Sequence, residues 1–430
     1  MTDEQASNRE KRIADEGIDV PMDLGASDGP AADRRESGRH GAVSQTPESQ
    51  RAGRTDANGR TADTEAESGG LREAIIRAAA ERPNRALPFR DFMEMCLYHP
   101  RYGYYMREQP KVGKSGDFYT SASIGTVLGD MLADYYIAWA ASRGGNKLTL
   151  VEWGGGDGRL AKQVLDRVAE RDPGLYGRTE LVMLEVSPHH RRLQRENLSQ
   201  HARVRWLDEA AWHAEAPWRD VYLWANELLD AFPVHRVKKM NGVLHEIGVS
   251  WDERNERFAE VYEPLQNRSV LAYLEEQGIK LLEGQIAEVN VDAVRWIERL
   301  AGQLADSHVT LIDYGHESDE LYAPHRMAGT LMCYRRHIAA SDPYVYVGEQ
   351  DITSHVDFTA ARNAAQRAGF RDVKVVSQAE YLLAGGVLGW LQDHHDPDPF
   401  SPVARRNRSI RQLLLSDQMS ELFKVLTMRI

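Results

Sequence analysis

From residue 147 the chain alternates short apolar runs with stretches of helical period, the pattern of strands and helices that build a parallel sheet. Leu148–Trp153, Glu180–Val186, Arg203–Leu207 and Val221–Ala225 read as four strands of that sheet. Between the first two, Leu160, Val164, Leu165 and Val168 fall on one helical face. After Pro233 the pattern changes. Val234–Lys239 and Val243–Val249 flank Asn241-Gly242, which predicts a hairpin with a two-residue turn. A helical stretch carrying Leu271, Leu274, Leu281, Ile286, Val294, Ile297 and Leu300 follows, so 234–300 reads as an insertion between two parts of the core, 147–233 and 301–377. Val309–Asp313 returns to the sheet, Phe358 to Ala368 is an amphipathic helix, and Val373–Val376 reads as the last strand. Residues 378–430 are expected to be a C-terminal helical segment, either a lid or a dimerisation surface.

Upstream, Leu71, Ile75, Ile76 and Ala79 make a helical stripe, and Pro88 to Met93 opens a second helix that His99-Pro100 closes. A loop dense in Gly and Tyr leads to a long apolar helix at Ile124 to Ala141. Residues 71–146 therefore read as a helical cap with a cofactor lid. Residues 1–70 hold no aromatic side chain and cannot bury enough apolar surface to offset ordering entropy, so a disordered tail is expected. That tail has no apolar core for a secretory signal and too many acids for a transit peptide, so a cytoplasmic location is expected.

Bulk properties narrow the function only by exclusion. No run approaches the roughly 18 apolar residues of a membrane span. A net charge of -12 argues against nucleic-acid binding, which depends on neutralising phosphates, but suits a cationic substrate. Cys96 and Cys333 lie far apart and belong to no ligand cluster, so no metal site is expected.

The chemistry concentrates at strand ends, where an open parallel sheet binds its ligands. Glu152-Trp153-Gly154-Gly155-Gly156-Asp157-Gly158 ends the first strand and opens a helix. Glycine at 154, 156 and 158 allows a sharp turn and a close ligand approach, although such a turn also occurs without a ligand. Arg159 stands where a dinucleotide fingerprint needs a small residue, so a dehydrogenase is the weakest reading. The spacing suits a cofactor without pyrophosphate, and S-adenosylmethionine leads. Glu185 would accept the ribose hydroxyls, and Asp208 would sit near the adenine. Asn226 is placed on the cofactor side, and Gly116, Asp117, Thr120 and Ser121 form a donor-rich lid. Glu227 and Asp230 follow the fourth strand, where carboxylates could orient a guanidinium acceptor; their structural alternative is a helix N-terminal acid pair. His355 lies beside a helix cap supplied by Thr353, Ser354 or Asp357 and could handle a proton.

These segments together resemble the MidA methyltransferases. The matching blocks are Tyr102-Gly103-Tyr104-Tyr105, Gly116-Asp117-Phe118 with Thr120-Ser121, Gly154 to Gly158, and Ala225-Asn226-Glu227 through Pro233. Ile312-Asp313-Tyr314-Gly315, Thr330-Leu331 with Tyr334 and His337, and Asp351-Ile352-Thr353 with His355 to Phe358 complete the set, across about residues 72–377. The resemblance implies an α/β, Rossmann-like class I methyltransferase sheet with an N-terminal helical cap and an inserted β-hairpin and helical segment. It also implies arginine methylation on a protein substrate, a respiratory complex I-type subunit in the mitochondrial branch, with this chain resembling a bacterial member. The sequence departs from the family at Ala122-Ser123, where Pro-Glu is usual, and at Met332, where Arg is usual.

Three readings follow. The first is a methyltransferase acting on protein arginine, with Glu227, Asp230 and His355 as the reacting side chains. The second keeps the chemistry on a small molecule. The third is an S-adenosylmethionine-binding assembly protein without turnover. The oligomeric state stays open, a homodimer being one reading.

Overall fold

The computed structural model describes residues 62–109, 111, 124–393, 398–416 and 420–430. Its centre is a twisted sheet whose long strands, in chain order, are β1 (Leu148–Trp153), β2 (Thr179–Leu184), β3 (Val204–Leu207), β4 (Val221–Asn226), β5 (His308–His316), β6 (Arg371–Ser377) and β7 (Phe423–Arg429). They lie side by side in the order β3-β2-β1-β4-β5-β7-β6, with Val356–Asp357 added in parallel at the end of β5. β1 to β5 run parallel, and β7 is antiparallel to both its neighbours. This is the Rossmann-like class I arrangement expected. The strand order reverses between β1 and β4, so a crevice opens beyond their carboxyl ends.

Alternation along the strands divides the core into two layers. Leu148 and Leu150 of β1, Leu181 and Met183 of β2, and Tyr222 and Trp224 of β4 face helices Val127–Ala140 and Arg159–Arg171. Val151, Val182, Leu223 and Leu311 face the other way, onto helices Val291–Ala301 and Phe358–Arg367. Burial on both faces is why these strands read as unbroken apolar runs.

The cap stands over the crevice. Helix Phe89–Tyr98 packs Phe89, Phe92 and Met93 against Val249 and Phe258 of an antiparallel sheet built on the expected hairpin. His235–Met240 and Val243–Asp252 pair through Asn241 and Gly242, both at positive φ (54° and 77°), as a type I′ turn requires.

Several boundaries differ from the sequence expectation. The first helix is Ala62–Ala80, so helical structure starts before Leu71; residues 1–61 lie outside the described residues. The stretch read as one helical run to Leu300 is helix Arg268–Glu276, strand Ile286–Val289 and helix Val291–Ala301. The last of these buries Ala293, Ile297 and Leu300 under the sheet, so it is the core's own crossover into β5 rather than part of the insertion. The segment after 378 is helical over Gln378–Ala384 and Pro402–Leu415 but ends in β7, which enters the sheet between β5 and β6. β7 buries Val425, Leu426 and Met428 on both faces, so an interior strand is its stable solution.

Asn290 ties the crossover helix to the crevice. Its Oδ1 accepts from Ala293 N at 2.9 Å as the N-cap, while its Nδ2 donates to Leu229 O at 3.0 Å. Asn290→Ser keeps a cap but loses the donor, whereas Asn290→Ala loses both. Urea unfolding is expected to rank wild type above Ser and Ser above Ala, with steps of about 1 kcal/mol. Equal stability of the Ser and Ala variants would mean that the cap contributes nothing.

Candidate cofactor and acceptor site

The crevice holds a cavity of about 450 Å³, within the usual range for small-molecule sites. One half is lined by the first strand–helix turn and by the loops after β2, β3 and β4; helices Phe89–Tyr98 and Val291–Ala301 line the other. Among the described residues eight carboxylates and three guanidiniums face it, so their field favours a cationic ligand.

The glycine turn has the form the sequence predicts. Gly154 (φ 73°) lies so close to Leu228 that a Cβ would come within 2.8 Å of Leu228 Cδ1. Gly156 (φ 52°) differs: among the described residues a Cβ there would meet no atom within 4 Å. Both glycines line the cavity, whereas Gly158 lies behind it as the left-handed N-cap of helix Arg159–Arg171.

Glu152 sits on the β1 face that carries Leu148 and Leu150, which drives it inward to 2% exposure. Trp224 Nε1 donates to its Oε1 at 3.0 Å, while Oε2 has no hydrogen-bond partner among the described residues. Burial pushes this carboxyl up to about 8, Trp224 opposing and Asp157 and Glu185 adding to the rise. Glu185 follows β2 at the cavity wall; Ser187 N donates to Oε1 at 2.9 Å and Gln194 Nε2 to Oε2 at 3.3 Å. Asp208 also lines the cavity, with one oxygen capping the next helix through Ala211 N at 2.8 Å.

The turn after β4 carries Asn226 and Glu227 into the cavity, joined by Asn226 Nδ2 donating to Glu227 Oε1 at 3.1 Å. Glu227 has φ 54°, a conformation that costs a non-glycine residue about 1–3 kcal/mol and must be imposed from outside. Asp313, at 1% exposure on β5, imposes it. Its Oδ2 accepts from the consecutive N–H groups of Leu228 (3.1 Å), Leu229 (2.8 Å) and Asp230 (3.3 Å), and its Oδ1 from Tyr314 N at 2.9 Å.

Two sequence-predicted catalytic residues fall elsewhere. Asp230 does not line the cavity, because the clamp at Asp313 turns its side chain into the protein beside Tyr314. Burial pushes Asp230 up to about 6, partly offset by the Tyr314 hydroxyl; burial also raises Asp313, with Asp230 and Glu227 adding to it. His355 is likewise outside the lining, its ring 5.5 Å from Tyr314 and 5.3 Å from His316. Burial lowers it to about 4, His316 and Arg326 adding, so it is neutral at pH 7 and a poor proton acceptor. The expected cap beside it is Asp357, whose Oδ1 accepts from Ala360 N at 3.0 Å. Gly116, Asp117, Thr120, Ser121 and the departures at Ala122-Ser123 lie outside the described residues.

The wall opposite the glycine turn was missed from sequence. Tyr98 and Tyr105 stack at 5.5 Å with 21° between their planes, and their hydroxyls donate to Ala231 O (3.0 Å) and Asp351 Oδ1 (2.8 Å). Arg90 bridges to Asp292 across 202 residues, through Nε at 2.9 Å and Nη2 at 2.8 Å, and donates also to Asp91 and Glu94. Only the tyrosine-rich block around Tyr105 gave any signal.

A family model described as "Putative S-adenosyl-L-methionine-dependent methyltransferase" matches residues 127–376. A COG1565 superfamily member from Burkholderia thailandensis, solved bound to S-adenosyl-homocysteine, is 31% identical with a TM-score of 0.76, over 86% of this chain and 94% of that one. The mitochondrial protein arginine methyltransferase NDUFAF7 of Danio rerio is 25% identical over 331 residues, 68% of this chain and 74% of the relative. Its Drosophila melanogaster homolog is 26% identical over 311 residues, 66% and 67% of the two chains.

Glu152 gives the ligand-free protein a testable pH dependence. An unfolded glutamate releases its proton near 4.5, whereas this folded one holds it to about 8. Between those values the native state binds more protons, so stability falls as pH rises through the window. Glu152→Gln removes that slope. Its melting temperature should exceed wild type by about 5 °C at pH 8 and converge with it at pH 5. An unchanged slope in the variant would place the titration elsewhere.

Proposed function

Because the chain belongs to the family of S-adenosyl-L-methionine-dependent methyltransferases, we propose that its acceptor is an arginine side chain on a protein. The cofactor assignment fits the residues present: among the described residues Gly156 leaves open space at the turn, Glu185 stands at the end of β2, and Glu152 Oε2 is a buried oxygen without a partner. When bound, S-adenosylmethionine supplies an electrophilic methyl group on a sulfonium.

The observation that supports arginine is the pairing of a stacked tyrosine wall with carboxylates across one cavity. A guanidinium is planar, cationic and rich in N–H donors, so it stacks on aromatic faces and donates to carboxylates. Tyr98 and Tyr105 supply the faces; Glu94 and Glu227 supply the acceptors. The protein arginine methyltransferases among the relatives point the same way.

Chemically, methyl transfer demands alignment more than acid strength. The Asp313 clamp fixes the backbone that carries Glu227 before any ligand arrives, which lowers the cost of aiming its carboxylate at the guanidinium N–H groups. The attacking nitrogen must lose one proton overall, and Glu227 is the residue of the β4 turn placed in the cavity to take it. Behind it, Ser354 N donates to Asp230 O at 3.0 Å and so holds the turn against the segment that carries His355. A respiratory complex I-type subunit is the first protein substrate to try.

Two variants separate cofactor from acceptor. Gly156→Val places a β-branched side chain in the ligand's space at positive φ and should weaken S-adenosylhomocysteine binding roughly a hundredfold or more by calorimetry. Wild-type affinity there would remove the turn from the site. Glu227→Gln should keep that affinity within about threefold while lowering turnover on arginine peptides by about a hundredfold, read by mass spectrometry. Retained turnover would exclude Glu227 as the acceptor's partner, and methylation of small molecules alone would overturn the protein substrate.

A further inference from the structure

Helix Pro402–Leu415 carries four arginines and no acidic residue, in a chain of net charge -12. Arg406 faces inward, 3.0 Å from Asp130 Oδ2 and 4.9 Å from the Trp390 ring. The other three behave differently. Arg405, Arg408 and Arg411 follow at helical spacing on the exposed face, in a row that continues to Leu415. Among the described residues none of the three forms an ion pair. Arg405 and Arg408 donate instead to the carbonyls of Phe400 and Pro399, which brings Phe400 beside the start of the row. Phe400 is 63% exposed and Leu415 74%, so each end of the arginine row carries a large apolar side chain in water.

We propose that this face docks on an anionic phospholipid surface, with the three guanidiniums on lipid phosphates and Phe400 and Leu415 entering the headgroup boundary. The row spans about 9 Å, six residues of helical rise, and presents one charge per turn. Guanidiniums bind phosphate oxygens in a fork geometry, and each basic residue at an anionic leaflet contributes about a fivefold gain in partitioning. Apolar side chains projecting from a convex helix suit an interface that yields to them, whereas an acidic peptide is normally held in a groove or along a sheet edge. The net negative charge of the chain opposes such a surface, so the arginine row also fixes the orientation of docking.

The test is co-sedimentation of the full chain with vesicles of phosphatidylcholine alone and of phosphatidylcholine containing phosphatidylglycerol. Binding is expected only to the second, and to fade at high ionic strength. Arg411→Gln should lower partitioning about fivefold, and the triple change Arg405→Gln, Arg408→Gln and Arg411→Gln roughly a hundredfold. Because Arg405 and Arg408 also hold two carbonyls, Arg411→Gln and the pair Phe400→Ser with Leu415→Ser are the variants that leave local hydrogen bonds intact. Loss of binding in both supports the proposal. It is overturned by failure to bind anionic vesicles or by binding that the variants leave unchanged. Capture of poly-glutamate or DNA without vesicle binding also overturns it, assigning the face to that partner.

Discussion

Asp313 is the residue on which the geometry of the crevice depends. One buried oxygen collects three consecutive N–H groups, and that pattern forces the β4 turn to double back. Other segments then hold the turn's carbonyls: Tyr98 at Ala231, Asn290 at Leu229 and Ser354 at Asp230. Burying a carboxylate is costly, and charge-assisted hydrogen bonds are what offset it. Positive φ at Glu227 is the strain stored by this arrangement. Its return is a carboxylate aimed into the cavity by constraints from four remote places in the chain.

The same economy governs three buried acids. Glu152, Asp230 and Asp313 are nearly inaccessible to water, and burial raises all three. Burying such groups destabilises the ligand-free fold at neutral pH, since each must either hold a proton or stay charged without solvent. A bound cation reverses that balance, because it favours the ionised form of every carboxylate near it. A ligand that binds the native state therefore adds to its stability by linkage.

The sequence made the parallel strands legible because both faces of each are buried, and Asn241-Gly242 made the hairpin legible because few dipeptides suit its turn. The glycine turn and Glu185 were readable for the same local reason. What failed was non-local. Phe423–Arg429 is a short apolar run with no periodicity to separate strand from helix, and its partners lie at residues 308–314 and 371–377. Helix Val291–Ala301 was merged with its predecessor although Gly284, at positive φ, and the cap at Asn290 bracket a strand between them. Asp230 and His355 were expected in the cavity because strand-end acids and cap-side histidines commonly point there; their direction is set by Asp313 and by burial against Tyr314, which no local pattern encodes.

The two halves of the cavity are consequently built in different ways. One half comes from a single stretch of chain between Glu152 and Glu227, and its residues are fixed by strand register and a glycine turn. The other half joins helix Phe89–Tyr98 to helix Val291–Ala301, and Arg90 with Asp292 latches them. Both partners are about one-quarter exposed, so the latch adds little to global stability. It does set the distance between two walls that the sheet itself leaves independent. Tyr98, Tyr105, Glu94 and Asp292 all line the cavity on this side, so substitutions there change its shape and charge at residues remote in sequence from the glycine turn.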